Sequence, residues 1–344
     1  MDIPRHEIID RQQVAKDLAF AEKLVSVKLE QSRENVANLP RLAKGALDRA
    51  RLQAVLEPSS PVLQARFRDA ARAGAAVLAL DRSEGKAVDV LLLDDEPVRL
   101  QGIEPSGWDV WDWVQSLFCA LLSRDDAALA LLLSIPNSAL RPAGVGVLEH
   151  RFHFADALRA YFNRLGDVGG PLFRALELTD PEQLDPRSVD FVLAIDVPLL
   201  DLFHAVVENR PDAVHAKLRK ALEAHREFYE DDRFDRDGFI ALGPAAFACV
   251  AADHGITPGV TSDYLPPGVL PTPPSRLLVG CPYCLTPIAE GTQTCPACLE
   301  DTTADAPVEM STEERARSAR KPCRKCGAAL LELAVRCPTC RTRQ

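Results

Sequence analysis

Eight of the ten cysteines in this chain are gathered near one end, in two sets of identical spacing. Cys281, Cys284, Cys295 and Cys298 lie in CPYCLTPIAEGTQTCPAC, and Cys323, Cys326, Cys337 and Cys340 lie in CRKCGAALLELAVRCPTC, forty-two residues further on. Each set is a Cys-x-x-Cys pair, ten intervening residues and a second such pair. Zinc takes four thiolates in a tetrahedron, and two facing Cys-x-x-Cys turns close such a cage. With all four positions filled by protein, no water can bind the metal, so the chemistry is structural and not catalytic. A module of about twenty residues has too little core to fold unaided, and metal binding supplies the missing stability. Two structural Zn2+ ions are the expectation. Disulfides are disfavoured in a reducing cytoplasm, and a thioredoxin-like redox pair needs a βαβ setting that the surrounding sequence lacks.

The other residues with chemical potential read more plainly. Cys119 and Cys249 sit within apolar helical stretches, where a lone thiol behaves as a small core residue. His150 and His153 in LEHRFHF come without an HExxH pattern or a nearby carboxylate pair, and a solvated or capping role is expected. Trp108, Trp111 and Trp113 in GWDVWDW open an amphipathic helix and read as core, with a binding face as the alternative. No Gly-rich phosphate loop, nucleophile elbow or paired acid and base is visible, so neither an enzyme nor a small-molecule substrate is expected. One stretch, EFYEDDRFDRDG at 227 to 238, carries Glu227, Glu230, Asp231, Asp232, Asp235 and Asp237 against Arg233 and Arg236. It reads as a solvated loop between helices or, functionally, as the part that faces a basic partner.

The formal charge of -10 over 344 residues is unevenly spread. Residues 1 to 280 hold 31 basic against 42 acidic side chains, whereas from Arg315 onward nine basic residues face a single acidic one, Glu332. An acidic body disfavours phosphate backbones, while the basic second cysteine module permits a weak nucleic-acid contact. The opening MDIPRHEIIDRQQ lacks the apolar run of a secretory signal, and no stretch approaches the roughly 18 apolar residues of a membrane helix. A cytoplasmic protein without a membrane partner is expected.

Hydrophobic content of 47% and charged content of 26% are those of a folded globular chain. Helical periodicity runs from 7 to 36, with Ile9, Val14, Leu18, Leu24 and Val27 as its stripe, and again from about 40 to 55. EPSSP breaks the pattern before Phe67, Ala71, Ala75, Leu78 and Leu80 resume it. VDVLLLDDEPVRL at 88 to 100 reads as one β-hairpin turning near Asp94 and Asp95. Helices then return until about residue 256. Within them SLFCALLSRDDAALALLL at 116 to 133 and DLFHAVVENRPDAVHAKL at 201 to 218 share a helix, a tight turn and a second helix. Leu117, Phe118, Leu121 and Leu122 mark the buried face of one, and Leu202, Phe203, Val206 and Val207 that of the other. His204 stands where the first copy has Cys119, which suggests a packing position tolerant of either. Five prolines between Pro266 and Pro274 predict an extended spacer. The expected organisation is therefore a mostly α body of helical hairpins with one small β-hairpin over 1–265, a proline-rich linker over 266–276, a zinc ribbon over 277–300, a polar linker over 301–320 and a second zinc ribbon over 321–344.

DGFIALGPAAFACVAADHGITPGVTSDYLPPGVL at 237 to 270 resembles the C-terminal signature of the immunity protein 49 family of bacterial polymorphic toxin systems. WDWVQSLFCALLSRDDAALALLLSIPNSALR at 111 to 141 and LLDLFHAVVENRPDAVHAKLRKALEAHREFY at 199 to 229 are similar to that family's paired helices in the same order. The resemblance spans roughly residues 10 to 270 and is strongest in the last seventy. It departs at Ala252, where the family commonly has an aromatic residue, and it does not include the cysteine modules. It implies a helical protein that binds and neutralises a cognate toxin, often a nuclease, with no catalytic residues. An adaptor that recruits nucleic acid or a protein complex through its basic tip is the alternative from another class.

Overall fold

Aspartates placed just ahead of apolar runs start several helices. Asp10 accepts from the N–H groups of Gln12 and Gln13 at 2.8 and 3.0 Å and opens α1 (Arg11–Glu34). Asp109 and Asp112 form a reciprocal capping box at the head of α4 (Val110–Ser123), and Asp125 caps α5 (Asp126–Leu133) through Ala128 N–H at 3.0 Å. Each such cap satisfies donors that the helix itself cannot, at about 1 kcal/mol apiece.

The computed structural model describes residues 2–270, apart from 84, 95, 103–105, 142–146 and 165, together with four short strands farther along. The chain divides into two units, Met1–Pro271 and Thr272–Gln344. In the first, α1 packs on α2 (Leu39–Leu56), α2 on α3 (Val62–Asp81), and α3 on α4. The alanine-rich run of α3 allows close approach: Ala70, Ala71, Ala73, Ala75 and Ala76 are all buried. Gly74 is required at the α3–α4 crossing, because a Cβ there would lie 2.1 Å from Ser116 Oγ and 2.9 Å from its Cβ. Strands β2 (Ala87–Leu91) and β3 (Pro97–Gln101) pair antiparallel with Val88 opposite Leu100 and Val90 opposite Val98, as the hairpin expectation required. The α1 stripe needs one correction. Ala21 and Val25 carry its buried face with Val14, while Val27 is exposed.

Beyond α5 the chain forms α6 (Glu149–Phe162), α7 (Gly169–Glu177), α8 (Val189–Phe191), a wide π-turn over Val192–Asp196, and α9 (Val197–Val207). It continues with α10 (Pro211–Tyr229) and α11 (Leu242–Asp253). The two similar segments are similar in backbone as well. Arg124 after α4 and Asn209 after α9 both adopt left-handed conformation, with φ of 54° and 52°. The same pair of C-terminal bonds closes each helix: Asp125 N–H to Ala120 O at 3.1 Å and Arg124 N–H to Leu121 O at 3.3 Å in one, Arg210 N–H to Ala205 O at 3.4 Å and Asn209 N–H to Val206 O at 3.0 Å in the other. This is the Schellman arrangement, which ends a helix and turns the chain back. Phe118 and Phe203 of the two copies converge on Phe247 of α11. His204 does not follow: it is exposed on the outer face of α9, 3.8 Å from Glu208, whereas Cys119 is buried. The repeat is kept in the buried stripe and the turn, not at this position.

The body is closed by its two ends. β1 (Asp2–Ile3) pairs in parallel with β4 (Thr261–Ser262), Arg5 Nε donates to Phe239 O at 2.7 Å, and Ile9 N–H donates to Arg233 O at 3.1 Å. Residues 266–270, expected as the start of a linker, belong to this body. Gly268 N–H donates to Pro58 O at 2.8 Å, Arg124 Nη1 reaches Val269 O at 3.2 Å, and Leu265 and Val269 are buried.

In the second unit, β5 (Leu278–Gly280) pairs antiparallel with β6 (Pro287–Ala289), and β7 (Arg320–Pro322) with β8 (Ala329–Leu331). The second hairpin repeats the bounds and register of the first at an offset of forty-two residues, the same offset that relates the cysteine sets.

Candidate partner-binding surface

Chain chemistry alone makes the segment 227–238 acidic, but the fold sorts its six carboxylates into three roles. Asp232 accepts from Phe234 N–H and Asp235 N–H, both at 3.1 Å, and Asp235 accepts from Asp237 N–H at 2.9 Å. These two shape the loop. Asp237 pairs with the buried Arg51 at 2.6 Å. Glu227, Glu230 and Asp231 are exposed and have no hydrogen-bond or ion-pair partner among the described residues.

The segment's two cations are turned to other uses. Arg236 bridges Asp48 of α2 at 2.7 Å and Asp17 of α1 at 3.3 Å, and Arg233 meets Glu7 at 3.3 Å. The unpaired charge offered to solvent is thus negative. Two aromatic rings accompany it, Phe234 at 72% and Phe228 at 36% exposure. Phe228 stands edge-on to Phe191 at 5.5 Å, and Phe191 edge-on to Trp111 at 5.9 Å. Aromatic residues are enriched at protein interfaces relative to the rest of the surface.

Next to this segment lies a cleft of about 340 Å³ between α2 and α4, lined by Lys44, Asp48, Trp111, Asp112, Gln115 and Asp237 among others. A smaller cavity shares Arg51, Trp111, Gln115 and Asp237 with it. Trp108 and Trp113 are buried, as core residues should be, whereas Trp111 is half-buried on the cleft wall. Its ring is held by Arg151, whose guanidinium carbon sits 4.2 Å from the ring centroid. Arg151 is fixed in turn by Asp196, which accepts from its Nε at 3.0 Å and lies 2.7 Å from His150 Nε2. His150 is therefore buried in an ionic cluster rather than solvated, because the π-turn carries Asp196 inward against it. The signal in the sequence is faint: Asp112, next to Trp111, and Gln115, one turn on from it, interrupt the mainly apolar run of α4.

Cys119 and Cys249 are core residues, and burial pushes both thiols up to about 12. Such thiols are not nucleophiles at neutral pH. Among the described residues no group of three or more His, Cys, Asp or Glu side chains is placed to hold a metal ion. Cys281, Cys284, Cys295, Cys298, Cys323, Cys326, Cys337 and Cys340 lie outside the described residues. In sequence, Cys281 and Cys284 fall between β5 and β6, and Cys323 and Cys326 between β7 and β8. Among the described residues no helix is long and apolar enough to cross a membrane.

Helical hairpins with an acidic rim and an adjoining cleft make this a mostly α protein. Residues 52–269, more than half of the chain, match the family described as immunity protein 49. The chain belongs to that family, and membership implies a toxin as its partner. No curated protein and no solved structure matches it.

Proposed function

We propose that the chain neutralises a basic toxin, in the manner of an inhibitor of a nuclease, by presenting Glu227, Glu230 and Asp231 to the toxin's cationic surface. Family membership carries the immunity reading. The three unpartnered carboxylates, beside arginines already engaged within the body, support the choice of face. Such complementarity speeds encounter and excludes wrong partners. The chain acts as a binding protein and not as an enzyme, within the cytoplasm of the cell it protects.

The two cysteine sets each hold one structural Zn2+, and the resulting ribbons serve as accessory modules for protein contact. The recurrence of both hairpin register and cysteine spacing at one offset supports this division. The second ribbon, rich in arginine, adds a weak and salt-sensitive contact with nucleic acid; it has no aromatic residue from 315 to 344 with which to stack bases.

The test is co-expression with the toxin encoded beside this chain. Residues 1–270 alone should protect the cell as the full chain does. A folded 1–270 that fails to protect would assign the tail to the inhibitory surface, and a full chain that fails would remove the immunity reading.

A further inference from the structure

Three side chains on the cleft face of α4 keep bonding capacity that the fold uses only in part. Asp112 accepts one hydrogen bond, from Asp109 N–H at 3.2 Å to Oδ2, and pairs with no cation among the described residues. Burial pushes its carboxyl above the ordinary range, against the pull of Asp109 N–H and Lys44. The Gln115 amide, one turn on, makes no hydrogen bond among the described residues. Trp111, whose ring already carries the Arg151 guanidinium at 4.2 Å, also lines the cleft beside them. Of the other charges on the wall, Arg51 is neutralised by Asp237 at 2.6 Å, with Asp48 at 3.8 Å, and Asp48 also binds Arg236 at 2.7 Å, whereas Lys44 is exposed, forms no ion pair among the described residues and acts on Asp112 through its charge. What remains is one carboxylate outside any ion pair, the Lys44 ammonium at the mouth, one amide and the cleft side of one indole, in a space of about 340 Å³, within the range of sites that enclose a ligand group.

A planar cation satisfies all three together. A guanidinium stacks on an indole, is matched by a carboxylate in two parallel hydrogen bonds, and has donors left for an amide oxygen. We infer that the cleft receives an arginine side chain projecting from the toxin, stacked on Trp111, paired with Asp112 and capped by the Gln115 carbonyl. The identity of the donor as a toxin rests on the proposed function. The cleft's own preference for a guanidinium does not. An ammonium is drawn to the carboxylate and the ring but lacks the planar fork that meets both carboxylate oxygens at once, and a neutral ureido group keeps N–H donors without the charge that strengthens their bonds.

Intrinsic fluorescence of the full chain tests this directly, since it has three tryptophans, of which Trp108 and Trp111 line the cleft. The probes are N-acetyl-arginine methylamide, its lysine counterpart and its citrulline counterpart, which keeps the shape without the charge. The arginine probe should give a saturable change, the lysine probe should bind at least about fivefold more weakly, and the citrulline probe at least about tenfold more weakly. Asp112→Asn, which keeps a carbonyl acceptor for the helix cap, should weaken the arginine probe at least about tenfold with an unchanged thermal midpoint. Should that variant unfold, Gln115→Ala, which removes no bond within the fold, carries the same test with a smaller loss. Equal response to citrulline, or full affinity in both variants, overturns the site. The two readings fail separately. A wild-type chain that binds the arginine probe without protecting cells loses its toxin and keeps its cleft; one that protects equally well as Asp112→Asn, and ignores the probe, loses the cleft and keeps its toxin.

Discussion

Phe203 stacks on Phe247 with ring centroids 5.0 Å apart and planes 23° from parallel. The corresponding residue of the earlier hairpin, Phe118, meets the same ring edge-on at 5.5 Å. Phe247 is thus the point at which the two similar hairpins are joined, and all three rings are buried.

Phe247→Ala should consequently cost about 3–5 kcal/mol, the range for removing a fully buried ring. The exposed Phe173, by contrast, should tolerate alanine within about 0.5 kcal/mol. Chemical denaturation of both variants checks the pair, and equal losses would mean that Phe247 is not the joint described.

Reversing Glu227, Glu230 and Asp231 together to lysine should slow association with the toxin by about 10- to 100-fold at low salt, and by less as salt rises. Because none of the three is bonded within the body, the thermal midpoint should hold. Stopped-flow association at two ionic strengths reads the effect. A salt-independent change would place the contact elsewhere.

His225 gives the body a pH dependence of known sign. Burial among His6, Tyr229 and Tyr264 lowers its pKa to about 3, despite the Gly238 carbonyl that accepts from Nε2 at 3.3 Å. Between its folded value and the ordinary value near 6.5 the unfolded chain holds the extra proton, so stability is complete above that window and falls as pH drops through it. The slope from this group is about 1.4 kcal/mol per pH unit. His225→Gln, which keeps a donor for Gly238, should remove about one proton's worth of that slope. Urea unfolding at pH 4.5, 5.5 and 7 distinguishes the outcomes, and an unchanged slope would show that other groups dominate.

Elemental analysis of chain purified under reducing conditions should find two zinc ions per molecule. Removing them with a chelator should leave the helical signal of the body intact, because the described residues of 2–270 contain no group of three or more His, Cys, Asp or Glu side chains placed to hold a metal. A body that melts on chelation would contradict this.

Where a single period governs a segment, its type could be read from the residues. The hairpin at 88 to 100 followed from two β-rich runs and a polar turn, and the paired helices followed from Leu-Phe-x-Ala and the stripe it begins. The acidic segment was visible as charge. What no pattern announced was its division into loop-shaping, paired and unpaired carboxylates, since that depends on Arg51, Asp48 and Asp17 arriving from other helices. The burial of His150 has the same origin: its partner Asp196 is forty-six residues away and is delivered by a π-turn. The linker boundary was placed too early because proline composition says nothing of Pro58, whose carbonyl holds Gly268.

The pairing of Asp2–Ile3 with Thr261–Ser262 also has a consequence in time. On a ribosome the first strand emerges long before its mate exists. At about 5–20 residues per second it waits on the order of 10 to 50 s. Until then Arg5 and His6 have neither Phe239 nor Tyr264 to bind, and the floor beneath the acidic loop is unfinished. The body is completed late in synthesis, as its last residues appear and while the cysteine-rich tail is still being made.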